Sequence, residues 1–395
     1  MKEGWKIKKL GDVVLFQRGL TYSKKDEVDF SENIVLRSNN VDVDSNKLDF
    51  SELKYINPKI VIPENKKVKK ESLIICTANG SKSHLGKVAL IDDDYNYAFG
   101  GFMGLLTPKN EIDSKFLFYL LISDNYKEFI NELSYGVNIN NLKFKDLERF
   151  EIPLPPLLEQ QRIVSILDKA FAAIDKAKAN TEQNLINARE VFESYLNGLF
   201  DKKGNDWEEK TLGDLGKISM CKRIFKDQTS PEGDIPFYKI GTFGKKPDAY
   251  ISKEIYDSYR SMSSFPKKGD VLISASGTIG RRVVYDGEPA YFQDSNIVWI
   301  DNNEEYVLNR FLYHFYDACK WKTTKGATIV RLYNGNLKQI DISFPKLKSE
   351  QKTIVRKLDN LKQKSNELES IFKNKLAYLE ELKKSILHKA FACEL

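Results

Sequence analysis

The sequence predicts an α+β protein: two globular domains separated by two long antiparallel coiled-coil helices, the whole a pseudo-two-fold repeat within one chain. Three observations carry this expectation. The chain matches itself in order along most of its length. Two stretches poor in proline and glycine show apolar residues in alternating steps of three and four. The regions between them are short β-like runs punctuated by glycine. A fixed period of this kind marks a repeated structural unit.

The repeat is clearest where Glu159-Gln160, Ile163-Val164 and Leu167-Asp168 return as Glu350-Gln351, Ile354-Val355 and Leu358-Asp359. Trp5 with Leu10-Gly11-Asp12 is answered by Trp207 with Leu212-Gly213-Asp214. Leu73-Ile74-Ile75, Gly80 and Gly86-Lys87 are answered by Val271-Leu272-Ile273, Gly277 and Gly280-Arg281. Gly136 and Gly326 open runs ending at Ile152-Pro153-Leu154-Pro155-Pro156 and Ile342-Ser343-Phe344-Pro345-Lys346. Between these landmarks the copies diverge, so one scaffold carries two contents. The expected boundaries are 1–155, 156–200, 201–346 and 347–395: domain, helix, domain, helix.

In the first helix the seam runs through Ile163, Leu167, Ala170, Ile174, Ala177, Ala188, Val191 and Tyr195. In the second it runs through Ile354, Leu358, Leu361, Leu368, Phe372, Leu379, Leu382 and Ile386. Such spacing is that of a coiled-coil stripe. At ~1.5 Å rise, ~40 residues make a rod of ~60 Å. The prolines just ahead of each rod stiffen its approach without removing helical hydrogen bonds. The connection from Asp201 to Asp206 is too short to return a parallel second rod, so the rods are expected to run antiparallel, with a globular part at each end.

Composition narrows the function classes. With 395 residues, 41% hydrophobic and 30% charged, the chain has the apolar material for two or three cores, which excludes wholesale disorder. The longest apolar stretch, Phe116 to Ile122, is far short of the ~20 residues of a membrane helix. The start Met1-Lys2-Glu3-Gly4-Trp5 lacks the apolar run of a signal peptide, and a cytoplasmic location is expected. Cys76, Cys221, Cys319 and Cys393 show no metal or disulfide spacing and read as buried reduced thiols. Gly80 to Lys87 is one residue too long for a Walker loop, and Val88 stands where the magnesium-binding hydroxyl belongs. Neither an Asn-Pro-Pro-aromatic loop nor a Gly-x-Ser-x-Gly elbow is present, so no catalytic constellation or metal site is expected. A net charge of +6 permits a nucleic-acid partner without demonstrating one.

What recurs instead is turn glycines flanked by donors. The candidate DNA contacts in the first copy are Arg18, Gly19, Arg37, Asn39, Thr77, Asn79, Ser81, Lys82, Asn138 and Asn140. In the second they are Lys222, Arg223, Lys239, Thr242, Ser274, Ser276, Thr278, Arg281, Arg282, Gln293, Asn296, Thr328 and Arg331. Arg and Lys can donate to guanine and Asn or Gln can pair with adenine, while hydroxyls and backbone amides hold phosphates. For any one of these residues, an ordinary solvated turn is the competing account.

The doubled Trp…Leu-Gly-Asp openings, the run Gly269 to Gly280 and the Pro153 to Val164 approach with its second copy resemble the specificity subunit of type I restriction-modification systems. The resemblance covers nearly the whole chain. Glu71-Ser72 departs from it where the second copy has Gly269-Asp270, and Ser343 to Lys346 has lost two prolines. The resemblance implies two target-recognition domains, each reading half of a bipartite DNA sequence, and helices that fix the spacer. It further implies docking of two modification subunits, which bring S-adenosylmethionine, and of restriction subunits, which use ATP and magnesium; this chain would bind no cofactor and catalyse nothing. The alternatives are a duplicated-domain DNA nuclease, which would need matched carboxylates and a lysine in both copies, and a structural coiled-coil adaptor without a DNA role.

Overall fold

The computed structural model describes residues 4–134, 141–204, 206–321, 331–392 and 394–395. The chain forms two compact units, Met1–Thr181 with Asn374–Leu395, and Glu182–Lys373. Each long helix is therefore divided between the units.

In the first unit, strand Lys6–Lys9 pairs antiparallel with Glu151–Leu154, placing Ile7 opposite Pro153. The short helix Leu10–Val13 follows, and Asp12 accepts from the Lys9 backbone N–H to cap it. An antiparallel sheet runs in the order Val14–Arg18, Met103–Pro108, Leu73–Cys76, Val88–Leu90. Its central strand Leu73–Cys76 is buried throughout, as expected of a continuous apolar run covered on both faces. A second sheet has the order Glu27–Val28, Lys54–Ile56, Ile34–Leu36, Ala98–Phe99, the last pair parallel.

The second unit repeats this plan. Trp207–Thr211 pairs with Asp341–Pro345, and Asp214 caps the turn Leu212–Leu215 through the Thr211 N–H and hydroxyl. Its main sheet runs Gly216–Ser219, Ile297–Asn302, Val271–Ser274, Arg282–Val284. Its smaller sheet runs Tyr250–Ile251, Ile235–Tyr238, Tyr291–Phe292, again with the last pair parallel. Helices Ser114–Leu121 and Asn309–Ala318 correspond, while Asp124–Ser134 belongs to the first unit and Lys253–Met262 to the second. Gly269 sits at φ +94°, and its counterpart Glu71 adopts the same left-handed region at φ 65° despite carrying a Cβ.

The long helices span Leu157–Asp201 and Lys348–Phe391. Within the first unit their segments run antiparallel, with Lys178 on Glu380 at 2.6 Å and Arg162 donating to the Leu395 carbonyl at 2.7 Å. Within the second, Ser365 Oγ donates to the Ala188 carbonyl at 2.7 Å, Arg189 pairs with Glu369 at 3.1 Å and Lys357 lies over the Tyr195 ring. Ile163, Leu167, Ile174, Ala188 and Leu358 are buried on the seam, and Ala170, Tyr195, Ile354, Leu361, Phe372, Leu379 and Ile386 are half-buried.

The expected stripe fails at Val191, Leu368 and Leu382, which are 61%, 43% and 47% exposed. Phe192, Leu196, Leu387 and the polar Thr181 and Ser365 are buried in their stead. A straight helix drifts by ~20° per heptad from a strict repeat of seven, so a stripe extrapolated over ~40 residues slides off the contact face.

The doubled Glu-Gln…Leu-Asp motif joins each long helix to its own domain. Gln160 is fully buried; its Oε1 accepts from the Asp113 N–H at 2.8 Å, and its Nε2 donates to the carbonyls of Glu111 and Pro155, both at 2.9 Å. Gln351 repeats the arrangement with the Leu308 N–H and the carbonyls of Tyr306 and Pro345. Eight residues on, Asp168 accepts from Tyr119 and Lys115, and Asp359 from Arg310 and His314. No helix of the described residues is long and apolar enough to cross a membrane. Cys76 and Cys221 are buried, whereas Cys319 is only half-buried, and Cys393 lies outside the described residues.

Candidate nucleic-acid interface

The two sheets of each unit deliver their loops to one cluster. In the first unit, strand Leu73–Cys76 ends at Thr77, whose N–H donates to the Phe102 carbonyl at 2.9 Å, and the Leu142 N–H donates to Thr77 O at 2.7 Å. In the second, Ala275 N–H donates to Asn296 O at 2.7 Å and Leu332 N–H to Ala275 O at 2.8 Å. The bridges Ala78 to Asn141 and Ser276 to Arg331 complete the equivalence. Thr77, Ala78, Phe102 and Asn141 thus occupy the places of Ala275, Ser276, Asn296 and Arg331.

Around this point the first unit opens a cleft of about 700 Å³, lined by Arg37, Asn39 and Asn79 from the expected set and by Thr21, Tyr22, Lys24, Ser38 and Phe102 besides. The Asn79 amide donates to Ser38 Oγ at 2.8 Å, joining two loops that are far apart in sequence, while its Oδ1 accepts from the Ser81 N–H. Asn39 is exposed and donates to the Glu52 carbonyl; Arg37 is half-buried and pairs with Glu52 at 3.3 Å. Ser81 and Lys82 are exposed beside the cleft. Arg18 is exposed, its guanidinium 5.9 Å from the Phe144 ring centroid. Burial, reinforced by the Glu27 carboxylate, raises the Tyr22 hydroxyl above its ordinary range, which keeps it a neutral donor in the cleft wall.

In the second unit, Lys222 is exposed over the Tyr259 ring, and Arg223 is exposed with its Nε 2.9 Å from Asp294. Lys239 pairs with Asp248 at 2.8 Å. Arg331 donates to the Ser295 carbonyl at 2.9 Å, beside Asn296, whose Oδ1 accepts from Ser276 Oγ at 2.8 Å. These loops present cations already held by carboxylates, a ring or a backbone carbonyl, and an amide held by a hydroxyl, an arrangement that limits side-chain freedom before any ligand arrives.

Several expected contacts prove to be internal. Gly19 is buried, and a Cβ there would lie 2.0 Å from the Gly100 carbonyl, so glycine is required by backbone approach. Thr77 is buried and its hydroxyl donates to Phe102 O. Ser274 is buried with its hydroxyl on the Thr278 carbonyl, which stabilises that turn. Arg282 forms a 2.5 Å ion pair with Asp317 and lies 4.5 Å from the Tyr313 ring centroid, so its charge is spent inside the domain. Gln293 accepts from the Ile240 N–H, Thr242 bonds the Lys239 carbonyl, and Arg281 donates to Phe243 O. Ser274 and Thr242 show the local cause: a polar side chain beside a turn usually satisfies the turn itself. Asn138, Asn140 and Thr328 lie outside the described residues.

Thr21, Tyr22, Lys24 and Phe102 were missed. Thr21, Tyr22 and Lys24 lie just beyond the Arg18-Gly19 turn with no glycine of their own, and Phe102 is apolar, so a search for donors at glycine turns passes over them. Phe99-Gly100-Gly101-Phe102 was the one available signal: two glycines let the chain turn sharply and leave the second aromatic outside. Among the described residues, no group of three or more His, Cys, Asp or Glu could hold a metal ion.

The chain matches the family model of the type I restriction modification DNA specificity domain twice, over residues 2–186 and 204–378. A protein of Haemophilus influenzae described as a type I restriction enzyme specificity subunit is 44% identical over 306 residues, covering 72% of this chain and 77% of that one. The EcoKI specificity subunit of Escherichia coli is 26% identical, covering 100% of this chain and 90% of its own. A solved chain from work on complex assembly and conformational transition of the type I R-M system shares the fold with a TM-score of 0.79 at 21% identity, covering 100% of this chain and 99% of that one. The HsdS subunit from Thermoanaerobacter tengcongensis gives 0.64 at 20% identity, covering 100% and 98%. With both copies of its repeat matched, the protein belongs to the type I restriction-modification DNA specificity family.

Proposed function

We infer that this chain is the DNA-recognition subunit of a type I restriction-modification complex, reading one half of a bipartite target with each globular unit. One observation carries the reading: Thr77/Ala275, Ala78/Ser276, Phe102/Asn296 and Asn141/Arg331 share backbone geometry and differ in chemistry. A duplicated enzyme would keep its reactive groups in both copies; a duplicated reader keeps the frame and changes the letters.

On this reading the chain is non-catalytic and cytoplasmic, double-stranded DNA is its ligand, and the long helices set the spacer and dock two modification subunits and the restriction subunits. S-adenosylmethionine, ATP and magnesium belong to those partners. The test is co-expression with a type I modification subunit, followed by mapping of methylated adenines. A bipartite motif with an unspecified spacer is expected. Exchange of residues 4–150 for another reader should alter one half-site only, and loss of both half-sites on that exchange would refute the division of labour.

A further inference from the structure

We propose that Phe102 is a specificity-determining residue that reads a thymine by apolar contact with its 5-methyl group, within the half-site addressed by the first unit. The proposal rests on the DNA-reading function inferred above and names the base chemistry at one scaffold position.

Phe102 is 73% exposed although its backbone stands in a hydrogen-bonded turn of the cleft. Its carbonyl accepts from the Thr77 N–H, the Ala78 N–H and the Thr77 hydroxyl. On its N-terminal side Gly100 packs against Gly19, whose own N–H is bonded to the Met103 carbonyl. An aromatic ring projecting from a fixed backbone loses only its own rotamer freedom on binding, which makes it an anchor of low entropic cost. The ring shares the cleft with Arg37, Asn39 and Asn79, side chains of the kind that meet acceptors and amides on base edges.

The apolar feature that base edges offer in the major groove is the thymine methyl, so an exposed phenyl ring among amides and a guanidinium fits that group. At the matched position the second unit carries Asn296, whose Oδ1 is held by Ser276. An exposed apolar ring at one copy and a hydrogen-bonded amide at the other is what two unlike half-sites require of a shared frame.

The experiment uses the full chain co-purified with its modification subunits and measures adenine methylation of duplexes in which each thymine of the first unit's half-site is replaced, singly, by deoxyuridine. One replacement should slow methylation about fourfold in the unaltered complex, the worth of one buried methyl group. Phe102→Ala should remove that difference and admit other bases at the same position, leaving the second half-site unchanged; Phe102→Leu should keep part of it. The proposal is overturned if deoxyuridine is tolerated at every position, if the half-site holds no thymine, or if Phe102→Ala retains the penalty. Absence of any methylated target would overturn the DNA-reading function itself, an outcome distinct from tolerance of deoxyuridine at an otherwise intact target.

Discussion

Replacing Gln160 by Ala tests the junction between helix and domain in the first unit. The side chain is fully buried and makes three hydrogen bonds of 2.8 to 2.9 Å to the backbone at Asp113, Glu111 and Pro155. Truncation leaves one N–H and two carbonyls without partners; at about 1 to 3 kcal/mol for each unsatisfied group, offset by whatever water enters, the loss should reach ~3–5 kcal/mol. Gln160→Met keeps the volume but none of the hydrogen bonds, and should be nearly as damaging, which separates bonding from packing. Gln161→Ala, one residue on and exposed, is the control and should change stability by no more than ~0.5 kcal/mol. Urea unfolding followed by circular dichroism reads the stability. Hydrogen exchange should show the first turns of the Leu157–Asp201 helix losing protection in the variant. A change below about 1 kcal/mol for Gln160→Ala would refute the account of the doubled Glu-Gln motif as a helix-to-domain junction.

The remaining predictions concern residues whose roles the fold reassigned or exposed. Arg282→Ala should destabilise the second unit by ~2–4 kcal/mol, since it strands Asp317 and uncovers Tyr313; it should leave the methylated sequence unchanged in the assembled complex. Glu71→Gly should stabilise the first unit by ~0.5–1 kcal/mol in thermal unfolding, because the φ of 65° no longer opposes a Cβ. Burial holds His314 below its ordinary range, with Arg310 and Arg282 adding to the effect against Asp359; burial would raise Asp359, but its bonds from Arg310 and His314 hold it low. For both groups the folded value is the lower, so their stabilisation is present at neutral pH and is lost as pH falls, first below the ordinary histidine value of 6.5 and then below 3.8. As pH falls from 7.5 to 5.5 the second unit should lose stability, and His314→Gln should flatten that slope; an equal slope in the variant would argue against His314 as its source.

The duplication, the order of its elements and the two long helices were all legible in the sequence, because each leaves a local mark. A buried strand such as Leu73–Cys76 is a continuous apolar run, a seam is a stripe, and Gln160 and Gln351 recur because each meets the same three backbone groups in its own unit. The helix register was readable only over short distances, since drift accumulates along a rod and brought Phe192 and Leu196 inward in place of Val191.

Which polar residues face outward was not legible. Asn79 and Arg282 look alike in sequence, each beside a glycine turn, yet one lines a cleft and the other is held inside by Asp317. That choice depends on partners up to dozens of residues away, such as Ser38 for Asn79, and only the packing of two sheets brings such partners together. The sequence by itself determined the frame and its doubling, through periodicity and repetition. The tertiary structure alone decided that Phe102 and Asn296 stand at one shared position, because equivalence there is defined by hydrogen bonds across strands and has no counterpart in the order of residues.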